Sequence, residues 1–390
     1  MPPTVTCPAC LGPVDRPVLT LTDLPVFCNV LAPTADEARR APTGDIELVQ
    51  CSRCATVVNA RFDPELAGYS PGYENSLHHS PTFQSWARDL ASRLVSSADL
   101  EGGTAIELGC GGGGFLSLLC EAGMKRGIGF DPSFSGEIDS TVPDGTPLEL
   151  HRGFLGADTS VEGDLAVCRH VLEHVVDPAA LVEILRTAAP GGVVYLEVPD
   201  AAAMFEDHLL YDILYEHCNY FGAPSFRALL ARCGLRPVSI EPEFGGQFLA
   251  VVAVDGTSEA STAGAGEPDV SGLLTAGEAF AEEASATIDR WSRRLEELRG
   301  DGRDVVVWGA GTKGVMFVNL VDGGGAVSRL VDVNPKKWGR HVPRTAQPVV
   351  APDELTVDPP DMVIVMNPLY RDEVASMLAE LSLQTEAVTA

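Results

Sequence analysis

The stretch AIELGCGGGG, residues 105–114, decides the fold. Residues 104–108 read as a short apolar strand and 115–122 as a helix. Between them the glycines remove every Cβ that would keep a ligand from the backbone. Gly109, Gly111 and Gly114 satisfy G-x-G-x-x-G, a pattern that is weak evidence alone. Its context strengthens it. Downstream, 126–130, 165–168 and 193–198 read as strands, and 178–188 as a helix. Strands alternating with helices predict an α/β domain with a parallel, doubly wound sheet. A helix at 225–233 and late strands at 235–240 and 248–254 complete that unit, and a helix over 80–94 precedes it.

On either side the pattern changes. Residues 1–80 are Pro-rich with little helical period and predict short hairpins around a metal. Residues 256–274 are rich in Gly, Ser, Thr and Ala and read as a linker. From 275 to 390 a second α/β unit is expected. It holds a long amphipathic helix (276–299), a strand (304–308), a glycine turn, a helix (315–320), strands at 327–331 and 362–366, and a last helix (371–381). The division is therefore 1–80, 81–255, 256–274 and 275–390.

Composition bounds the function. The 390 residues are 45% hydrophobic and 21% charged, enough for two or three cored domains. The formal net charge of −28 excludes nucleic acid and anionic membrane as main partners, though local basic residues can hold a phosphorylated ligand. No apolar run is long enough for a membrane span, and the N-terminus lacks a signal-peptide pattern, so a cytoplasmic location is expected. The sequence fixes no oligomeric state.

Cys7-x-x-Cys10 and Cys51-x-x-Cys54 are two paired knuckles. Two such turns supply the four soft ligands of a tetrahedral zinc, and four thiolates leave no open position for chemistry. The ion is expected to be structural.

Around the first glycine loop the sequence is similar to class I methyltransferases. Glu107 supplies the acid of E-x-G-x-G. Asp131 ends the next strand in GFDP (129–132), poised for two ribose hydroxyls. CRHVLEH (168–174) resembles the segment of those enzymes that passes beside cofactor and substrate. The implied cofactor is S-adenosylmethionine (SAM). Its expected contacts are Glu107, Gly109, Cys110, Gly111, Gly113, Asp131, Pro132, Arg169 and His170.

YDILYEHCNYF (211–221) gathers titratable groups after a strand edge of the cofactor sheet, where ligands bind. His217 can take a proton near neutral pH, and Glu216 can orient it.

Taken together, the chain resembles the three-domain sugar C-methyltransferases over nearly its whole length. The motifs are the two CxxC pairs, 107–111, Glu216-His217-x-x-Tyr220-Phe221, Gly245-Gly246, and WGAGTKG (308–314). The resemblance implies an N-terminal zinc-binding domain, a central SAM domain and a C-terminal Rossmann-like domain. It implies that His217, assisted by Glu216, removes a proton beside a keto group of a nucleotide-linked sugar. It also implies natural-product chemistry of the secondary-metabolism kind. Those relatives carry Tyr-x-Glu-His, whereas this chain has Leu214 at the Tyr position. Tyr215, Tyr211 or Tyr73 is the expected replacement phenol. Their His-Gly-Gly-Ser is FGGQ (244–247) here, and Gly246 and Gln247 are expected at the substrate.

The second glycine loop, with Lys313 inside it and NPKKWGR (334–340) nearby, fits substrate or phosphate binding, a ligand-free structural domain, or NAD. Asn367, Tyr370 and Arg371 follow the last strand and are expected to face the same cleft. Three further functions stay open. They are O- or N-methylation of another small metabolite, a non-catalytic SAM or ligand-binding protein, and an NAD-dependent oxidoreductase.

Overall fold

The structure is a computed structural model and describes residues 6–68, 77–139, 142–156, 161–256, 270–321 and 325–390. Its strands are β1 (Val14–Pro25), β2 (Thr43–Cys51), β3 (Val57–Asn59), β4 (Thr104–Leu108), β5 (Arg126–Asp131), β6 (Leu148–Arg152), β7 (Leu165–Arg169), β8 (Val193–Pro199), β9 (Asn219–Tyr220), β10 (Leu235–Glu243), β11 (Phe248–Asp255), β12 (Val305–Trp308), β13 (Val327–Val331), β14 (Val349–Val350), β15 (Met362–Val365) and β16 (Glu386–Thr389). The helices are α1 (Ala35–Ala38), α2 (Pro81–Ser97), α3 (Gly114–Glu121), α4 (Pro178–Ala188), α5 (Ala201–Glu206), α6 (Ala223–Arg232), α7 (Ser271–Gly300), α8 (Thr312–Val321) and α9 (Arg371–Glu380).

The central sheet runs β10-β11-β8-β7-β4-β5-β6. Strands β4 to β8 pair in parallel, whereas β11 is antiparallel to both β8 and β10. This is the strand order of the class I SAM-methyltransferase fold expected from the sequence: the alternating units form the parallel part, and the two late strands join it as an antiparallel pair. Only Phe244–Gln247 separates β10 from β11, too short a connection for a parallel crossover. β7 (LAVCR) is buried along its whole length, as a central strand covered on both faces requires. β10 carries Pro237 and Pro242, tolerated because it is the edge strand.

Capping starts the helices at defined points. Ser80 accepts the Phe83 N–H at 3.3 Å ahead of Pro81. Asp177 accepts the Ala180 N–H at 3.2 Å ahead of Pro178. Phe83, Leu90 and Leu94 of α2 pack with α3 on one face of the sheet. Leu185 of α4 and Leu229 of α6 pack on the other.

Residues 14–59 form a long bulged hairpin rather than several short ones, and β3 closes it. The fourth strand of this sheet is β9, contributed by the segment just after His217. The C-terminal sheet runs β14-β13-β12-β15-β16, all parallel. One hydrophobic core joins Val18, Leu21 and Ile46 of the hairpin to Leu210, Ile213 and Tyr220, and on to Phe280 and Phe317.

Of the expected linker, 257–269 lie outside the described residues, and α7 begins already at Ser271. Among the described residues no helix is long and apolar enough to cross a membrane.

Candidate active site

Local backbone chemistry builds the first glycine loop. Gly109, Gly111 and Gly113 have φ of 78°, 53° and 84°, the left-handed region that only glycine enters without strain. Asp131, at the end of β5, accepts the Gly111 N–H at 2.9 Å. Its other oxygen accepts the Ser133 N–H at 2.7 Å and hydroxyl at 2.6 Å. The carboxylate is thereby fixed beside the loop, with Pro132 following it. Cys110 is buried at the turn.

Glu107 is buried, and among the described residues its Oε2 has no hydrogen-bond partner. Burial, with Asp131 and Glu197 adding to it against Arg169, raises its carboxyl to about 8. An unsatisfied buried acid beside a cradle of bare backbone fits a cationic adenosyl ligand. SAM would be held by these glycines, Glu107 and Asp131. The Arg169 guanidinium is buried in an ion pair with Glu197 at 2.8 Å and stands 4.1 Å from the Phe115 ring centroid.

His170 follows with φ of 53°, strained for a histidine. Its Nε2 lies 3.1 Å from Glu197 and its Nδ1 3.7 Å from Glu173. Burial would lower its pKa, but the two carboxylates outweigh this and raise it to about 9. His170 also lines a cleft of about 290 Å³ between the central and C-terminal units.

That cleft brings together most of the expected acceptor side chains. His217, Gln247, Lys313, Asn367 and Tyr370 line it, whereas Gly246 and Arg371 do not. Gln247 and Asn367 face each other and exchange two amide hydrogen bonds, at 2.8 and 3.0 Å. The sequence motifs did not single out Asp212, Glu173, His174, Asn29 and Lys337, which also line it. CRHVLEH contained Glu173 and His174, and their burial beside His217 is a tertiary fact that no spacing carries.

The Tyr and Glu neighbours of His217 turn elsewhere. Tyr215 donates its hydroxyl to the Arg61 carbonyl at 3.3 Å and accepts the Asp63 N–H at 3.0 Å. Tyr211 is buried with its ring 5.2 Å from that of Phe317. Neither lines the cleft. Tyr73 lies outside the described residues. Glu216 accepts the Cys28 N–H at 3.0 Å, so its carboxylate anchors the end of the N-terminal hairpin. His217 is buried, and burial together with neighbouring His174 lowers its pKa to about 3. This favours the neutral imidazole, which can accept a proton, but it moves the ring away from the near-neutral titration expected from the sequence, because burial disfavours the charged form.

The far wall of the cleft is the second glycine loop. Asp332 follows β13 and accepts the Ala310 N–H at 2.9 Å, much as Asp131 accepts a loop N–H, that of Gly111, in the first loop. Here Lys337 pairs with that aspartate at 3.1 Å. Lys313 pairs with Asp212, tying this loop to the segment that carries His217.

Away from the cleft, Cys7, Cys10, Cys51 and Cys54 converge with all four sulfurs within 4.8 Å of one another. Cys7–Cys54 and Cys10–Cys51 are each 3.5 Å apart, and all four are free thiols. Zinc at about 2.3 Å from each sulfur sets them about 3.8 Å apart, so the cage matches. The Gly12 N–H points at the Cys10 sulfur, 3.3 Å away, as it does toward a ligating thiolate.

Residues 81–240 match the family model of a methyltransferase domain, and 271–387 match that of the C-methyltransferase C-terminal domain. The C-methyltransferase NovU of Streptomyces niveus is 25% identical over 383 residues, covering 92% of this chain and 88% of its own. A ubiquinone biosynthesis O-methyltransferase of Paraburkholderia xenovorans is 34% identical over 110 residues, covering 27% of this chain and 47% of its own. Among solved structures, the SAM-bound magnesium protoporphyrin IX methyltransferase of Synechocystis covers 45% of this chain and 80% of its own, at 18% identity and a TM-score of 0.35.

Proposed function

We propose that this SAM-dependent, C-methyltransferase-like enzyme methylates a carbon beside a carbonyl in a small, nucleotide-linked metabolite of the keto-sugar type. One observation carries the reading: a single cleft joins neutral His217 to the glycine loop bearing Lys313 and, behind it, Lys337. The C–H next to a ketone is a weak acid and needs a positioned acceptor. His217 takes that proton, and the electron pair moves through the new C=C bond onto the carbonyl oxygen, giving an enolate. The cofactor supplies an electrophilic methyl on a sulfonium. Held by the glycines, Glu107 and Asp131, it would give that methyl to the enolate carbon and leave as neutral S-adenosylhomocysteine with the C–S electron pair, and His217 would then return its proton to solvent.

The basic loop suits the phosphates of the handle, since α8 starts there and adds its N-terminal N–H groups. Lys337 on Asp332 disfavours NAD, because the acid that would hold a ribose already holds an ammonium. We assign a structural zinc to Cys7, Cys10, Cys51 and Cys54. O-methylation is the second reading, favoured by the match to the O-methyltransferases. That match spans roughly a quarter of the chain and leaves the acceptor wall of the cleft undetermined.

The test offers a panel of nucleotide-linked keto sugars in deuterated water without SAM. Wild type should exchange the target C–H, and His217→Ala should slow exchange and turnover by about 10²–10⁴-fold while still binding SAM. Undiminished exchange in the variant removes His217 as base. No exchange anywhere, with methyl found on oxygen, selects the second reading.

A further inference from the structure

We propose that Glu173, and not Glu216, is the carboxylate partner of His217, receiving its Nδ1–H and leaving Nε2 as the basic nitrogen that reaches the cleft. The inference rests on reading His217 as the proton acceptor.

Among the described residues, two buried polar atoms in one cluster lack hydrogen-bond partners, Glu173 Oε2 and His217 Nδ1. Glu173 is 2% exposed and His217 7%. A donor atom of each, together with one of His174, lies within 4.8 Å of the others. With the two side chains this close, a side-chain rotation that brought Oε2 to Nδ1 would satisfy both atoms. His217 lines the cleft while its Nδ1 is shut from solvent, so Nε2 is the nitrogen that remains for substrate.

The neighbours leave no other arrangement as well matched. Glu216 is committed to the Cys28 N–H at 3.0 Å. His174 Nδ1 faces the Glu216 carbonyl at 3.1 Å, and a carbonyl only accepts, so Nδ1 of His174 carries a proton and is turned to Glu216 rather than to Glu173. The other oxygen of Glu173 faces His170 Nδ1 at 3.7 Å. From the second segment come His217, the Cys218 thiol, which donates to the Glu173 carbonyl, and the Tyr220 ring, 5.7 Å from that of His217. Among these groups Glu173 supplies the negative charge facing His217 that offsets burial and His174. When the substrate proton arrives at Nε2, the imidazolium forms against that charge. Glu173 is thus a positioning residue acting through His217.

The experiment is ¹⁵N-histidine NMR on the full chain with S-adenosylhomocysteine bound. The chain has eight histidines, and His217→Gln identifies the signal by its loss. Wild type should show His217 as the Nδ1–H tautomer with a strongly deshielded proton. Glu173→Gln should collapse that shift, Glu173→Asp should restore part of it, and Glu216→Gln should leave it in place. In the exchange assay Glu173→Gln should lower the rate by about 10²-fold with little change in KM. An Nε2–H tautomer in wild type overturns the proposal, and this holds even if Glu173→Gln fails to fold. A signal that follows Glu216 instead overturns it too. So does a second bound metal ion that disappears in Glu173→Gln, which would make the cluster a metal site. The tautomer needs no turnover, so its failure is separable from failure of the C-methylation reading.

Discussion

Glu107 is a carboxyl raised from 4.5 to about 8, first by burial. Because its folded-state pKa lies above the unfolded one, the native ligand-free protein holds a proton the unfolded chain has lost. Its stability should therefore fall as pH rises from about 4.5 to 8. A cation placed beside Glu107 reverses the balance, since only the ionised form attracts it. SAM binding near pH 7 should release about one proton, and affinity should rise with pH up to about 8. Calorimetry in two buffers of different ionisation enthalpy counts that proton, and Glu107→Gln should bring the count to zero. A release that persists in the variant would place the titrating group elsewhere. Glu107 and Asp131 were legible in the sequence because the loop is local, and a strand, a turn and one acid fix their geometry. Tyr211, Tyr215 and Glu216 were not. Their directions are set by partners 150 or more residues away in sequence for Tyr215 and 188 away for Glu216. A Cβ on Gly44 would meet the Tyr215 ring at 2.3 Å, which shows how closely that distant strand holds it.

The two glycine loops look alike as elements but depend on their last glycine for different reasons. A Cβ on Gly314 would sit 1.9 Å from the Gly309 carbonyl oxygen, so the helix start could not keep its distance from the strand end. A Cβ on Gly114 would meet the His78 ring at 3.0 Å, a side chain that can turn aside. Gly314→Ala should therefore destabilise the C-terminal unit by about 1–3 kcal/mol, and Gly114→Ala by clearly less. Hydrogen exchange on β12 and α8 measures the first directly. Equal protection in both variants would mean the second loop has slack that the backbone geometry denies. The strand–turn–helix readings held because both elements obey simple periodicities. The edge strand β6 (LELHR) escaped notice because its partly exposed residues form no apolar run. The antiparallel β10 and β11 were seen as strands, but direction is a property of the connection rather than of the residues.

At the scale of the whole molecule, Cys51 of the cysteine cage and the segment just after His217 belong to one sheet. Val57 and Val58 of β3 pair with Tyr220 and Asn219 of β9, two residues beyond His217. Arg232 of α6 donates to the Ala9 carbonyl at 3.3 Å, and Ser225 to that of Cys54 at 3.2 Å, so both knuckles are anchored on the central unit. The hairpin tip then delivers the Cys28 N–H to Glu216. The metal would hold the knuckles, the knuckles the hairpin, and the hairpin the backbone on both sides of His217. The cofactor loop follows β4, and among the described residues its hydrogen bonds to other segments run to Phe130, Asp131 and Asp139 rather than to the hairpin. Cys51→Ser, or zinc removal by a chelator, should therefore lower turnover by about 10-fold or more while SAM affinity changes far less. Amide exchange should rise at β3 and β9 and stay low at β4. Elemental analysis should find about one zinc per wild-type chain. A zinc-free protein that retains full turnover would show that the hairpin holds His217 without the metal. Equal losses of turnover and SAM affinity would show that the cage supports the central unit as a whole rather than its acceptor side.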